Sequence, residues 1–373
     1  MNKKVLASLL ITTMTLTILS GCGSRTPAPD TTSSEVPSES STDAEETFTP
    51  ISLTGEVMEL ESGFSAVRFD GDDGFENFLA TGGASSDGEV VSYLAEHLLD
   101  GMNLGFLGNF FGCSTIAAVS PEGEHLFGRN FDWENCEAMV VVSHPDNAYA
   151  SISTVNMDFI TAGTGGAIRA ALSMEQVRTL AALYAPLDGM NEAGLAVSVN
   201  MIQDSATIAQ NTEKPDITTT TAVRLLLNKA ANVEDALDLL RQYDLHASMG
   251  MMIHFALTDK TGRSVVVEYV DQEMVVTETP VVTNFYLTEG DKYGIGTQQS
   301  HERYDILMEL LSQQETMSIS NVRDALERVS KKNFDDYAST EWSIVFDLDA
   351  GTARYYHREN YDRQYAFSLQ EGE

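Results

Sequence analysis

Cys113 heads the apolar run CSTIAAV, and after a short turn at Ser120-Pro121-Glu122-Gly123 the chain returns as HLFGRNFDW, bringing Arg129 and Asp132 back toward it. A thiol, a guanidinium and a carboxylate gathered by one hairpin suit nucleophilic catalysis. The sulfur attacks only as thiolate, and a free cysteine titrates near ~8.5, so a neighbour must lower its pKa or take its proton. Two routes are open. One is a nearby histidine. The other is the cysteine's own α-amine, which titrates at about 7.7 to 8.0 when free and can act as the base at neutral pH. The seven histidines, His97, His125, His144, His246, His254, His301 and His357, are scattered, and nothing beside Cys113 matches the local signatures of papain-like or caspase-like enzymes. The amine route requires the bond between Gly112 and Cys113 to be cut. A disulfide with Cys136 is the other use an exported chain has for this thiol. Cys136, however, stands among Glu134, Asn135 and Glu137 in what reads as a loop.

Positioning such a site needs a rigid frame, and the pattern around it is strands joined by short turns. CSTIAAV and HLFGRNF flank one turn, HFALTD and SVVVEYV flank Lys260-Thr261-Gly262, and WSIVFDL and ARYYH flank Asp349-Ala350-Gly351. Three such hairpins predict antiparallel sheets. Between them TAVRLLLNKAA, VEDALDLLRQY with Asn232 as N-cap, ERYDILMELLSQ and NVRDALERVS carry the 3.6-residue apolar period of helices. Unbroken apolar strands such as GLAVSVNM suit a sheet covered on both faces, whereas each helix shows one apolar stripe. The expected fold is therefore α+β, a four-layer αββα sandwich of two antiparallel sheets between helical layers. Upstream, residues 51–112 read as a folded segment with an amphipathic stretch, GEVVSYLAEHLLDGMN, before the glycine-rich approach NLGFLGNFFG. Residues 113–373 form the expected catalytic domain.

The chain opens with Lys3 and Lys4, an apolar run from Val5 to Leu19, and Leu19-Ser20-Gly21-Cys22. A basic start, a short apolar stretch and small residues before the cut mark an export signal over residues 1–21. The tetrapeptide resembles a bacterial lipobox, which implies that Cys22 is acylated and becomes the new N-terminus. Residues 22–50, rich in Ser, Thr, Pro, Asp and Glu, read as a disordered tether. The expected location is extracytoplasmic, on the cell membrane, held by the lipid on Cys22. A formal net charge of −34 excludes a nucleic-acid partner, which needs clustered Lys and Arg, and otherwise reads as a solubility feature.

Beyond the residues' own chemistry, the order of segments resembles a family. Cys113-Ser114-Thr115, the hairpin, and Gly128-Arg129-Asn130-Phe131-Asp132-Trp133 look like the start of the linear-amide C–N hydrolases of the N-terminal-nucleophile superfamily. That group includes choloylglycine hydrolases, penicillin V acylases, acid ceramidases and N-acylethanolamine acid amidases. LDGMNEAGLAVSVNM, HFALTDKTGRSVVVEYV, VVTN at 281–284 and SHERYDIL follow in the family's order. The resemblance implies an N-terminal Cys113 nucleophile exposed by cleavage after Gly112. Arg129 would favour its thiolate, and Asp132 would hold the new amine. The side chain of Asn284 with the backbone N–H of Asn200 would bind the oxyanion, and Arg303 would complete the charge network. It implies no metal or other cofactor and a small-molecule N-acyl amide as substrate. The spacing from Gly194-Leu195 to Asn200 is one residue shorter than in the bile-salt enzymes, which puts Asn200's role in doubt. The stretch from Asn284 to Arg303 lacks their long insertion, and the upstream segment is long, so a fatty or aryl-acyl amide is expected over a bile salt. Met251-Met252 and GFLGNFF could line an acyl pocket or simply be core. An acyltransferase of the isopenicillin-N type and a non-catalytic lipoprotein binding module are the alternatives. Sequence does not give the oligomeric state.

Overall fold

The computed structural model describes residues 48–97, 112–161, 172–332 and 339–370. The export signal, Cys22, the tether up to residue 47 and the GFLGNFF stretch lie outside the described residues. Strands β1 (Met58–Glu61) and β2 (Phe64–Gly71) and helices α1 (Phe75–Ala80) and α2 (Asp87–His97) precede the cysteine. Strands β3 (Gly112–Val119), β4 (His125–Trp133), β5 (Ala138–Pro145) and β6 (Ser151–Asn156) follow, then α3 (Met157–Thr161) and α4 (Glu175–Leu183). Next come β7 (Asp188–Asn191), β8 (Leu195–Met201), β9 (Asp216–Thr218), α5 (Thr219–Lys229), α6 (Val233–Leu240) and β10 (Asp244–His246). The chain continues through β11 (Ile253–Asp259), β12 (Ser264–Val270), β13 (Glu273–Glu278), β14 (Val281–Val282), α7 (Gln298–Gln313) and α8 (Ile319–Arg328). It closes with β15 (Ser339–Asp347), β16 (Thr352–His357) and β17 (Tyr365–Ser368).

These strands form two large sheets. A six-stranded sheet runs β14-β3-β4-β15-β16-β17, and a nine-stranded sheet runs β1-β2-β5-β6-β7-β8-β11-β12-β13. All three expected hairpins pair as read, β3 with β4, β11 with β12 and β15 with β16. The nine-stranded sheet departs from the all-antiparallel expectation at one place. β2 pairs parallel with β5 over Phe64–Gly71 and Ala138–Pro145. A parallel pair needs a long crossover, and here the connection between the two strands carries α1, α2 and the β3–β4 hairpin.

Three apolar layers follow from the alternation of strand side chains. Phe127, Phe131, Trp342 and Ile344 of the smaller sheet pack between the sheets against Val140, Ile152, Ala196 and Val266 of the larger. The outer face of the larger sheet is covered by α1, α2, α4, α5 and α6, through residues such as Phe78, Val91, Leu183, Leu226 and Leu237. Leu307 of α7 and Val322 and Leu326 of α8 cover the outer face of the smaller sheet around Ile116 and Val345. The architecture is the expected α+β sandwich, helices outside and two sheets within. Local chemistry sets the helix starts. The side chain of Asn232 accepts from the Asp235 N–H (3.0 Å), and Thr218 and Ser318 each open a reciprocal capping box. Gly194, at φ 90 in the β7–β8 turn, is placed where a Cβ would strike Lys260.

Candidate active site

Cys113 is the second residue of β3, pairs with Phe131 of β4, and is 2% exposed. Because side chains alternate along a strand, its thiol faces the space between the sheets, where it belongs to the same apolar cluster as Phe131 and Trp342. Its neighbours Gly112 and Ser114 face the helices instead. The same alternation on β4 sends Arg129 inward with the thiol and Asp132 outward, so the hairpin splits its two charges between opposite faces of the sheet.

On the thiol side, Arg129 is fully buried. Its Nε donates to Asp188 Oδ2 (2.6 Å), and its Nη1 donates to Ser198 Oγ and to Asn200 Oδ1 (2.9 Å). Trp342 Nε1 donates to the same Asp188 oxygen (3.0 Å). Nη2 of Arg129 has no hydrogen-bond partner among the described residues, which leaves the two N–H donors of that nitrogen for an anion. Burial pushes the Cys113 thiol up, the positive field of Arg129 and then Arg303 opposes this, and Asp132 adds to it. Cys136 is a contrast. It is 2% exposed, makes no disulfide with Cys113, and its thiol is raised well above the ordinary range by burial and then by Glu341 and Asp158. Two arginines counter desolvation at Cys113, whereas Arg358 at Cys136 is set against two carboxylates.

On the helical side, Arg303 of α7 ties three groups together. Nη1 donates to the Cys113 carbonyl (2.9 Å) and to Asp132 Oδ2 (2.9 Å), and Nη2 donates to Asn284 Oδ1 (2.7 Å). The Cys113 N–H donates to that same Asn284 oxygen (2.7 Å). Asp132 is also bound through Oδ1 by the Thr340 hydroxyl (2.7 Å), and Lys331 Nζ lies 3.9 Å from its Oδ2. The Asn284 amide donates to the Met201 carbonyl (2.7 Å), leaving its second N–H for another acceptor.

The structure thus brings Cys113, Arg129, Asp132, Asn284 and Arg303 into one cluster around a single peptide unit. Asn200 joins through its side chain, which accepts from Arg129 and from Ser198 Oγ (2.7 Å) and donates to the carbonyls of Val282 and Thr283 at 3.4 Å. Reading the sequence assigned it only a backbone contribution. Asp188, Ser198, Thr340, Lys331 and Trp342 were missed altogether. Asp188 lies within LDGMNEAG, a segment singled out for its order in the chain, yet nothing in one sequence says that its carboxylate holds an arginine 59 residues away. The histidine beside the site is His254, whose ring contacts the Glu268 carboxylate (3.1 Å) and the Thr283 carbonyl (2.9 Å) rather than the thiol. It braces the segment that presents Asn284.

The surroundings of the thiol are aromatic. Phe131 stacks on Trp342 with centroids 3.9 Å apart and on Trp133 at 5.7 Å, and Trp133 meets Phe159 edge-on at 4.3 Å. Met201 shares this cluster, with Met249, Met251 and Leu287 at its border. Of the Met251-Met252 pair, for which pocket lining and core were both open, Met252 is core, 4% exposed under the outer helices. A cavity of about 950 Å³ bounded by Ile51, Arg68, Asp70, His144 and Phe367 contains none of the clustered polar residues.

The family model described as linear amide C–N hydrolases, choloylglycine hydrolase family, matches residues 113–306. Among solved structures, a mutant of the conjugated bile acid hydrolase from Clostridium perfringens superposes with a TM-score of 0.51 at 18% identity, over 70% of this chain and 95% of that one. A second variant of that enzyme gives 0.49 at 17% identity over 70% and 95%. Penicillin V acylase from Agrobacterium tumefaciens gives 0.45 at 18% identity over 66% and 83%. No curated protein sequence matches.

Proposed function

This chain belongs to the linear amide C–N hydrolases of the choloylglycine hydrolase family, and from that premise we propose that it hydrolyses N-acyl amides through an N-terminal Cys113 freed by cleavage after Gly112. The observation that carries the proposal is the cradle around the Cys113 nitrogen. That nitrogen is held by Asn284 Oδ1 at 2.7 Å, with Arg303 bonded to the same residue's carbonyl and Asp132 beneath it. Asp132 and Arg303 offset the cost of their burial by pairing with each other (2.9 Å), and the pair is set against the peptide unit of Cys113, where it can act on the new amine.

Once cut, the chain runs the reaction with its own atoms. The α-amine takes the thiol proton, the sulfur bonds to the amide carbonyl carbon, and the amine passes the proton to the departing nitrogen as the C–N bond breaks. Arg129, aligned by Asp188, steadies the thiolate through its unshared Nη2. Asp132, fixed by Arg303 and Thr340, receives the amine's hydrogen bond. The second N–H of Asn284 and the backbone N–H of Asn200 bind the oxyanion, a contact whose loss typically costs about 3 kcal/mol of barrier. Water, deprotonated by the same amine, then releases the acid and the thiol.

The apolar group on the acyl side is fatty or aryl, supported by the Phe131, Trp133 and Phe159 rings around the sulfur. The enzyme works outside the cytoplasm on a lipid attached at Cys22, a reading that rests on the Leu19-Ser20-Gly21-Cys22 tetrapeptide. Replacing Cys22 by Ala would then abolish labelling by a radioactive fatty acid. Intact-mass analysis of purified protein, with Cys113→Ala beside it, tests the mechanism. The expected result is two fragments split between Gly112 and Cys113 in the native chain and one uncut, inactive chain in the variant. An active chain still bonded at that position would refute it. Turnover of a panel of N-acyl amino acids, acylethanolamides, penicillin V and conjugated bile salts, with and without an added amine, fixes the substrate class and separates hydrolysis from acyl transfer.

A further inference from the structure

The proposed reaction leaves a gap at the cleavage itself. In the uncut chain the Cys113 nitrogen is an amide, so the amine that serves the mature site is not yet there to handle protons. One side chain stands where that need arises. A Cβ placed on Gly112 would lie 2.3 Å from Lys331 Nζ, 2.8 Å from Lys331 Cε and 2.8 Å from Asp132 Oδ2. The lysine therefore packs directly against the residue that precedes the scissile bond, and Gly112 is the residue type that leaves room for it.

Faces of the strand decide what this lysine can do. The Cys113 thiol points between the sheets, whereas a Cβ at Gly112 points to the helices, the side occupied by Asp132, Arg303 and Lys331. A sulfur arriving at the Gly112 carbonyl from one face leaves the electron pair of the departing nitrogen accessible from the other. Lys331 is fixed there by its main chain. Its N–H donates to Thr340 Oγ1 (2.8 Å), its carbonyl accepts from the Thr340 N–H (3.0 Å), and the Thr340 hydroxyl in turn binds Asp132. The side chain is 13% exposed and Nζ stands 3.9 Å from Asp132 Oδ2, close enough for attraction and too far for a hydrogen bond. The arginines around the site hold their protons too firmly to give one up. Burial, the largest influence, draws the Lys331 ammonium below the ordinary lysine range, with Asp132 opposing and Arg303 reinforcing the shift.

We infer that Lys331 is the proton donor to the Cys113 nitrogen when the chain cuts itself. The inference rests on cleavage at Gly112/Cys113. The thiol gives its proton to water, and a bond forms between Sγ and the Gly112 carbonyl carbon. The C–N bond then breaks, and the nitrogen takes a proton from Lys331 Nζ to become the neutral α-amine. Lys331 regains its proton from solvent, and water hydrolyses the Gly112 thioester to a carboxylate and the free thiol.

The test is a time course of uncut chain by intact mass on the full-length protein and its Lys331→Ala, Lys331→Met and Lys331→Arg variants, each checked for a native melting transition. Cleavage is expected to slow at least tenfold in all three, including Lys331→Arg, which keeps the charge but cannot release a proton. Added ethylammonium is expected to restore cleavage in Lys331→Ala. The methionine variant keeps the packed stem, so a slow but folded Lys331→Met separates proton donation from a loss of packing. Cleavage at the native rate in Lys331→Ala or Lys331→Arg overturns the inference, and so does a slow, folded Lys331→Ala that ethylammonium fails to restore. A native chain that is never cut would refute the proposed function instead, a distinct result.

Discussion

Replacing Arg303 by Met would remove the group that joins three parts of the site at once. Arg303 is 5% exposed and donates to the Cys113 carbonyl, Asp132 and Asn284 at 2.9, 2.9 and 2.7 Å. Each bond to a charged group contributes about 1.5 to 3 kcal/mol, but the three share one guanidinium and do not add. The larger effect is on what remains. Asp132 keeps the Thr340 hydroxyl and a lysine 3.9 Å away, so its carboxylate is left buried with its close cation gone. Breaking a buried pair in this way costs about 3 to 5 kcal/mol. Pairing Arg303→Met with Asp132→Asn removes the stranded charge, so the double variant should recover about 1 to 3 kcal/mol relative to the sum of the singles. Activity should not recover with it, since the Cys113 amine then lacks the carboxylate that holds it. A loss of about 3 kcal/mol of alignment corresponds to roughly a hundredfold in kcat/KM. Urea unfolding of the four proteins gives the stability cycle, and initial rates on a hydrolysed N-acyl amide give the other. Additive stabilities, or a single variant destabilised by less than about 1 kcal/mol, would mean that the three bonds are not the ones holding the site.

The remaining expectations concern other parts of the chain. Cys136→Ala should keep cleavage and turnover, because burial, Glu341 and Asp158 all disfavour the charge on that thiol and only Arg358 opposes them; a dead Cys136→Ala variant that still folds would place it in the mechanism after all. The fragment ending at Gly112 should co-elute with the fragment starting at Cys113 in native buffer and separate in guanidinium. Phe75, Phe78, Val90, Val91 and Leu94 are each at most 3% exposed and together contribute roughly 10 kcal/mol of burial, and β2 is hydrogen-bonded inside the larger sheet. Elution of the downstream fragment alone would contradict this. Glu359, part-buried near Lys332, Asp132 and Glu327, is pushed up to about 7, chiefly by burial. A carboxyl raised in the folded state contributes stability below its ordinary value of 4.5 that is lost as pH rises through about 7. Glu359→Gln should therefore gain melting temperature relative to the native chain between those limits, and equal shifts at pH 4 and pH 8 would refute it.

Short-range chemistry carried much of this protein in its sequence. The alternation in CSTIAAV and HLFGRNF, the turn residues between them, and the cap at Asn232 are settled by neighbours a few residues apart, and each appears where the pattern placed it. The order of Cys113, Arg129, Asp132, Asn284 and Arg303 was legible too, as was the pairing of two sheets beneath helical layers. Tertiary structure alone decided which side of β3 each group occupies. Asp188 reaches Arg129 across the gap between sheets, Thr340 reaches Asp132 from 208 residues away, and Lys331 closes on Gly112. It also decided that β2 would run parallel to β5, and that Met252 would be core. Contacts of that kind depend on how two sheets and two helical layers stack, and a side chain's type does not report which distant face will be laid against it.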